Sequence, residues 1–310
     1  MKTLRQAIND YLEMRRGLGF KLYHVERDLG SFVSFLERKK ARHITIDLAL
    51  QWAMQPTDVH AAYWAQRLSA VRGFAKHWSA IEPHTQVPPG GLLPFPNRRA
   101  QPYLYTEEDI QRLMAAARAL PPRDGLRGWT YHCLLGLLTV TGLRISELIA
   151  LDRRDVDLRE GLLTIRGAKF GKIRLVPLHV STRDALTHYA QCRDRYLDRQ
   201  SAANFLVSER GRPLDASSVR RTFYRLSHQT GLRGVDDRNG PRLHDFRHRF
   251  ATESLLRWYR AGEDVARLLP VLATYLGHSN VRNTYWYVSA CPELMGYAAR
   301  RLEKRWEVRS

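Results

Sequence analysis

Four separated segments of this chain carry side chains that bind phosphate or move protons. The first is Thr141-Gly-Leu-Arg144-Ile-Ser-Glu147-Leu. The second is a glycine-flanked stretch with Lys169 and Lys172. The third is Leu243-His244-Asp-Phe-Arg247-His248, and the fourth is Leu276-Gly-His278-Ser-Asn, followed nine residues after the histidine by Tyr287 within Thr284-Tyr-Trp-Tyr-Val. Arginine presents a planar fork that matches phosphate oxygens. Lysine and histidine can transfer protons. A tyrosine oxygen becomes a nucleophile when a neighbouring group assists its deprotonation, because its unperturbed pKa is about 10.

Taken singly, each piece has an ordinary explanation. An Arg-x-x-Glu pair is a common helix-surface contact worth a few tenths of a kcal/mol, a hairpin lysine is usually solvated, and Tyr285, Trp286 and Tyr287 would pack a core or an interface. His244 and His248 stand four apart, a spacing that could hold a metal, but no third ligand follows at a familiar distance. The chain has no Walker-type glycine loop and no acidic cluster suited to two magnesium ions. Neither a cofactor nor a metal is therefore expected.

The elements that must position these groups fall into two parts, as the length of 310 residues suggests. The first 80 residues read as four amphipathic helices, opened by a Thr3-x-x-Gln6 capping box. The second helix is expected over about 23–40, the third from near Thr45 and the fourth from near Thr57, together a small bundle. Six prolines and Gly90-Gly91 then crowd residues 83–102, an extended linker. We divide the chain into a helical domain at 1–85, a linker at 86–102 and a second domain at 103–310. In the second domain a buried helix ends at Thr141-Gly142, and a short helix follows from about Ser146 to Leu151. Two β-type runs, 162–165 and 173–177, flank Gly167 to Gly171 as a hairpin. The remainder is mostly helical. The fold class is mostly α with a small antiparallel β-sheet.

Charge narrows the function. Lys plus Arg number 50 against 31 Asp plus Glu, a net of +19, and both halves of the chain are basic. Most of the basic residues are arginine. Such a field favours a polyanion, nucleic acid above all, through phosphate neutralisation and counterion release. A hydrophobic share of 44% excludes wholesale disorder. The longest apolar stretch, Cys133 to Val140, is far short of the ~20 residues of a membrane span. With no apolar leader at the start and three scattered cysteines, the expected compartment is a reducing cytosol.

Together and in this order, the four segments resemble the tyrosine recombinases, or phage integrase family. The likeness rests on Thr-Gly-Leu-Arg-Ile-Ser-Glu-Leu, Lys-Phe-Gly-Lys-x-Arg-Leu-Val-Pro-Leu, Leu-His-Asp-Phe-Arg-His-x-Phe-Ala-Thr, Leu-Gly-His and the following tyrosine. It covers nearly all of the second domain and extends more weakly to the first, which is similar to the family's helical core-binding domain. The resemblance implies that Arg144 and Arg247 clamp the scissile phosphate and that Glu147 steadies the site by holding Arg144 or a histidine. It implies Lys169, rather than Lys172, as the general acid and His244 and His278 as the two histidines. Tyr287, rather than Tyr285, is the implied nucleophile. It also implies a site-specific DNA recombinase or integrase of a mobile element, working through a 3′-phosphotyrosyl intermediate. Its partners would be duplex DNA, three further copies of the chain in a tetramer on two sites, and accessory recombination proteins. The resemblance further implies a bacterial, nucleoid-associated setting in the cytoplasm. Two other readings stand beside this one: a type IB topoisomerase-like enzyme that relaxes DNA, and a DNA-binding accessory protein without catalysis. No separate arm-binding domain is expected before the first helix. The amphipathic tail at 292–306, with Leu294, Ala298, Leu302 and Trp306 along one face, is expected to dock on a neighbouring protomer.

Overall fold

A computed structural model describes residues 3–95, 101–166, 173–198, 203–234, 236–237, 240–278, 280–289 and 291–307. The chain divides into two compact units, residues 1–100 and 101–310.

The first unit is built from helices α1 (Leu4–Gly17), α2 (Tyr23–Arg38), α3 (Ile46–Ala53) and α4 (Ala61–Trp78). Thr3 and Gln6 close the capping box that the sequence announces, and Thr45 caps α3 through its hydroxyl. Helix α4 starts later than expected, because His60 and not Thr57 supplies the cap; Val59 therefore precedes the helix. Leu29, Phe32, Trp52, Leu68, Val71 and Phe74 are all fully buried between the helices. Arg67 reaches into this core, donating to the carbonyl of Trp52 at 2.9 Å with its guanidinium 3.9 Å from the centre of the indole.

The second unit contains α5 (Glu107–Arg118), α6 (Leu126–Thr141), α7 (Ile145–Ile149), α8 (Val180–Tyr196), α9 (Ala216–Gln229), α10 (Asp245–Arg260), α11 (Val265–Leu276), α12 (Arg282–Ser289) and α13 (Pro292–Glu307). A three-stranded antiparallel meander, β1 (Val156–Asp157), β2 (Leu162–Ile165) and β3 (Arg174–Pro177), lies between α7 and α8. The two longer strands are those the sequence marks, and β1 is an addition to them. Leu163 pairs with Val176 and Ile165 with Arg174, so Leu163, Ile165 and Val176 point inward. The tip of this hairpin, with Lys169 and Lys172, lies outside the described residues.

Helix α10 is the axis of the second unit. Phe246 belongs to the larger apolar cluster around α5, α6 and α9, while Ala251 and Leu255 belong to a second cluster shared with α11, α12 and α13. Chemistry gathers at the seam between the two clusters.

The first turns of the tail pack within their own unit: Leu294 is fully buried with Ala251 and Leu255, Tyr297 stacks on Tyr259 at 5.6 Å, and Glu293 accepts from Arg260 at 2.8 Å. Ala298, Leu302 and Trp306 lie outside the described side chains. Leu294→Ala should cost about 2–5 kcal/mol, the usual effect of emptying a buried leucine site. The check is urea denaturation of dilute, DNA-free protein; an unchanged midpoint would return the helix to intermolecular docking.

Candidate active site

The site is organised by the end of helix α11. Gly277 takes φ +68°, and the chain closes in a Schellman arrangement: His278 N donates to Ala273 O and Gly277 N to Thr274 O, both at 2.9 Å. The carbonyls of Tyr275, Leu276 and Gly277 are left without helical donors. Three arginines from three different elements fill them. Arg174 Nε of β3 donates to Tyr275 O at 2.9 Å, Arg247 Nη2 of α10 to Leu276 O at 2.6 Å, and Arg144 Nη2 to Gly277 O at 3.5 Å. The negative end of a helix dipole suits these cations. Gly277 is required twice over, since a Cβ there would stand 2.8 Å from Arg174 Nη1.

Glu147 ties two of these arginines together. It is buried, and it receives Arg174 bidentately at 3.0 and 2.9 Å, Arg144 Nη1 at 2.9 Å and the backbone N–H of Arg144 at 2.9 Å. The backbone bond caps α7, with Glu147 reaching back from the third helical position to the Arg144 N–H. Burial alone would raise the carboxyl; the Arg174 hydrogen bonds, the backbone donor and both positive charges outweigh it and hold Glu147 below the usual carboxylate range. Glu147 thus holds Arg144, the first of the two expected partners.

Arg247 is 1% exposed. Its second carbonyl is Gly142 O, at 2.9 Å, where Gly142 ends α6 in the left-handed region. Two helix C-termini therefore converge on one guanidinium. Its Nε is buried without a hydrogen-bond partner among the described residues. Burial pulls Arg247 below the ordinary arginine range, while the nearby Tyr287 oxygen opposes that shift. Arg144 is the more open of the pair, with 36% of its side chain accessible.

Helix α12 places the two candidate tyrosines in different surroundings. Tyr287 is 3% exposed and Tyr285 54%, so Tyr287 faces inward with Thr284 and Tyr285 faces solvent. The Tyr287 ring lies 5.9 Å from His278 at 21° and 5.2 Å from His248. His278 Nδ1 pairs with the buried Thr284 hydroxyl at 2.8 Å. Burial, followed by the charges of Arg247 and Arg144, drives His278 down to about 4. Burial and then Arg247 lower His244 as well. Both rings are neutral at pH 7 and can accept a proton. His244 and His248 sit 4.9 Å apart, edge to face, and no third metal-ligating side chain joins them among the described residues.

Arg144, Glu147, His244, Arg247, His278 and Tyr287 thus converge on one site; Lys169 and Lys172 lie outside the described residues, two or more positions before β3 begins at Arg174. The sequence reading missed Arg174, Thr284 and the aromatic contacts of His248. Arg174 stands inside the hairpin motif itself, and Thr284 lies one helical turn before Tyr287, but neither residue type announces a partner. A second basic surface, lined by Arg127, Arg221, Arg225 and Tyr224, lies on α6 and α9.

This combination of a helical fold, a small meander and a tyrosine beside clustered arginines and histidines defines a class of phosphate-handling protein. The phage integrase family model matches residues 104–293. The chain belongs to this family, the tyrosine recombinases. A putative integrase/recombinase of Sinorhizobium fredii is 54% identical over 314 residues, covering 100% of both chains. The tyrosine recombinase XerC of Chlamydia trachomatis is 32% identical, covering 95% of each. In fold, the chain is similar to a transposon integrase in complex with transposon right-end DNA, with a TM-score of 0.66, 16% identity, and coverage of 96% of this chain and 98% of that one. It is also similar to a lambda integrase tetramer bound to a Holliday junction, with a TM-score of 0.62, 18% identity, and coverage of 92% and 77%. Among the described residues no helix is long and apolar enough to cross a membrane.

Two outcomes follow from this geometry. Arg174→Ala removes two of the four donors to the buried Glu147 carboxylate, leaving those of Arg144, and should cost about 1.5–3 kcal/mol, read by urea denaturation; Arg174→Lys should recover part of the loss, because one charged donor returns. The lowered histidines also set an acid limit. An unfolded His278 takes up a proton below about 6.5, whereas the folded one resists until about 4. The unfolded chain binds more protons in that window, so this contribution is complete above pH 6.5 and is lost as pH falls toward 4. His278→Asn should therefore lose less stability than wild type between pH 7 and pH 5.

Proposed function

We propose that this chain is a site-specific DNA recombinase of the integrase type that cleaves and rejoins DNA through a 3′-phosphotyrosyl intermediate. The observation that carries this reading is the convergence of Arg144, Arg247 and the buried Tyr287 on one side of α11, with an unfilled donor on Arg247. The guanidiniums of Arg144 and Arg247 bind the non-bridging oxygens of a scissile phosphate and stabilise the charge of the transition state. The Tyr287 oxygen attacks phosphorus, and its proton passes to a neutral histidine, His278 or His244, or through one to water. The bond from phosphorus to the 5′ oxygen breaks, and Lys169 protonates the leaving hydroxyl. Glu147 is a positioning residue that acts through Arg144. Attack by a second strand's 5′ hydroxyl reverses the steps and releases Tyr287. The phosphotyrosyl ester keeps the bond energy, so religation needs no nucleotide.

In this proposal residues 1–85 are a core-binding domain, 86–102 a linker and 103–310 the catalytic domain, closing as a basic clamp on duplex DNA. The basic charge of both halves and the arginine-lined face of α9 support the DNA partner. The assembly is a homotetramer on two sites; the lambda integrase neighbour is a tetramer on a junction, and that likeness supports the arrangement. A purely DNA-binding accessory protein would have no use for a tyrosine buried beside Arg247. A DNA-relaxing enzyme of the type IB kind would share the cleavage chemistry but not exchange strands between sites.

Tyr287→Phe should retain DNA affinity and lose all covalent adduct on a suicide substrate, while Tyr285→Phe keeps the adduct; the reverse pattern would move the nucleophile. Lys169→Ala should be severely slowed on ordinary DNA and largely rescued by sulfur in place of the 5′ bridging oxygen, a leaving group that needs little protonation. Arg144→Ala should not be rescued. Rescue of Lys172→Ala instead would reassign the acid.

A further inference from the structure

A group of ligating side chains also lies in the first unit. His43, in the connection from α2 to α3, meets Glu82 and His84, which follow the end of α4. One potential ligand atom from each lies within 4.8 Å of the others. The His84 Nδ1 to Glu82 Oε1 distance is 2.8 Å and the His43 Nδ1 to Glu82 Oε1 distance 3.7 Å. The two imidazole rings are 4.8 Å apart. His43 Nδ1 is buried and has no hydrogen-bond partner. A polar atom hidden from water in that state normally finds one.

The backbone fixes these positions in advance. Pro83 sits second in a turn closed by Thr85 N donating to Glu82 O at 3.0 Å, and the His84 N–H donates to Glu82 Oε1 at 3.2 Å, so Glu82 and His84 stand side by side. The other loop is tied alongside: Gln86 N donates to Ile44 O at 2.8 Å, and Ile46 N to the Gln86 side chain at 2.9 Å. That pairing brings His43, the neighbour of Ile44, onto the turn. Ligands held on two cross-linked loops lose little freedom on binding.

We infer that His43, Glu82 and His84 form a binding site for a divalent transition-metal ion of the zinc class. Two imidazoles and one carboxylate suit zinc, with water in the fourth position, and do not suit magnesium or calcium, which take oxygen ligands. Ligand atoms of a tetrahedral zinc ion at about 2.0–2.2 Å stand roughly 3.3–3.6 Å apart. The present spacings bracket that range, so small rotations of the three side chains close them on the ion. The ion would staple the α2–α3 connection to the segment that leaves α4. It joins two loops already in contact, so its role is to fix the start of the proline-rich stretch, apart from the chemistry at Tyr287.

The test uses the full chain, stripped with EDTA and desalted, with Zn²⁺ as the probe in competition with a chromophoric chelator. One ion per chain should bind at micromolar or better affinity, and Mg²⁺ at millimolar concentration should not compete. His43→Ala, His84→Ala and Glu82→Gln should each weaken this binding at least 10-fold. Co²⁺ should give an intense tetrahedral visible band in wild type and lose it in His84→Ala. His84 is 75% exposed, so its removal leaves the helical bundle intact, and circular dichroism verifies this; His84→Gln provides a second variant of similar volume. Equal affinity in wild type and in the His84 variants, or no binding below 100 μM Zn²⁺, would overturn the site and leave a simple His–Glu hydrogen bond. Either result is independent of adduct formation at Tyr287.

Discussion

Three guanidiniums gathered on the last carbonyls of one helix are the constraint on which the second unit depends. Tyr275, Leu276 and Gly277 each give a carbonyl to a different arginine. Each hydrogen bond to a charged group contributes about 1.5–3 kcal/mol, yet three like charges brought together repel. The helix dipole and the Glu147 carboxylate offset part of that repulsion, and what remains is a positive field with no counterion supplied by the fold. Such a field suits an anion, and the arginines that make it are held in place by the fold itself.

The same constraint explains why the site draws on so many elements. Arg247 reaches from α10 to the ends of α6 and α11; Arg174 carries β3 to Glu147; Arg144 stands at the N-cap of α7. Each glycine that closes a helix here serves the cluster, Gly142 by presenting its carbonyl to Arg247 and Gly277 by making room for Arg174. The hairpin whose tip includes Lys169 is fastened at its base to the carboxylate that fixes Arg144. Burial, with this field, also lowers His244 and His278.

The first unit is organised differently. Its core is aromatic and aliphatic, around Phe32, Trp52 and Phe74, and Arg67, a cation inserted into it, stacks on an indole instead of joining a charge cluster. Ionisable side chains meet at its surface, where His43, Glu82 and His84 tie two loops.

The sequence by itself determined the helical character of both units, the two longer strands and the capping box at Thr3, and it named the candidate residues that the fold brings together, Arg144, Glu147, His244, Arg247, His278 and Tyr287. These are legible because apolar periodicity, caps and the spacing of unusual polar residues are local along the chain. Only the tertiary structure decided that Arg174 is the partner of Glu147, that Tyr285 faces solvent while Tyr287 faces Arg247, and that Leu294 packs on α10. It alone brought His43 to Glu82. Each of these depends on residues far apart in sequence meeting at one place, and on which face of a helix the surrounding core leaves open. A carbonyl oxygen at the end of α11 has no signature in a string of residue names, although three arginines are placed by it.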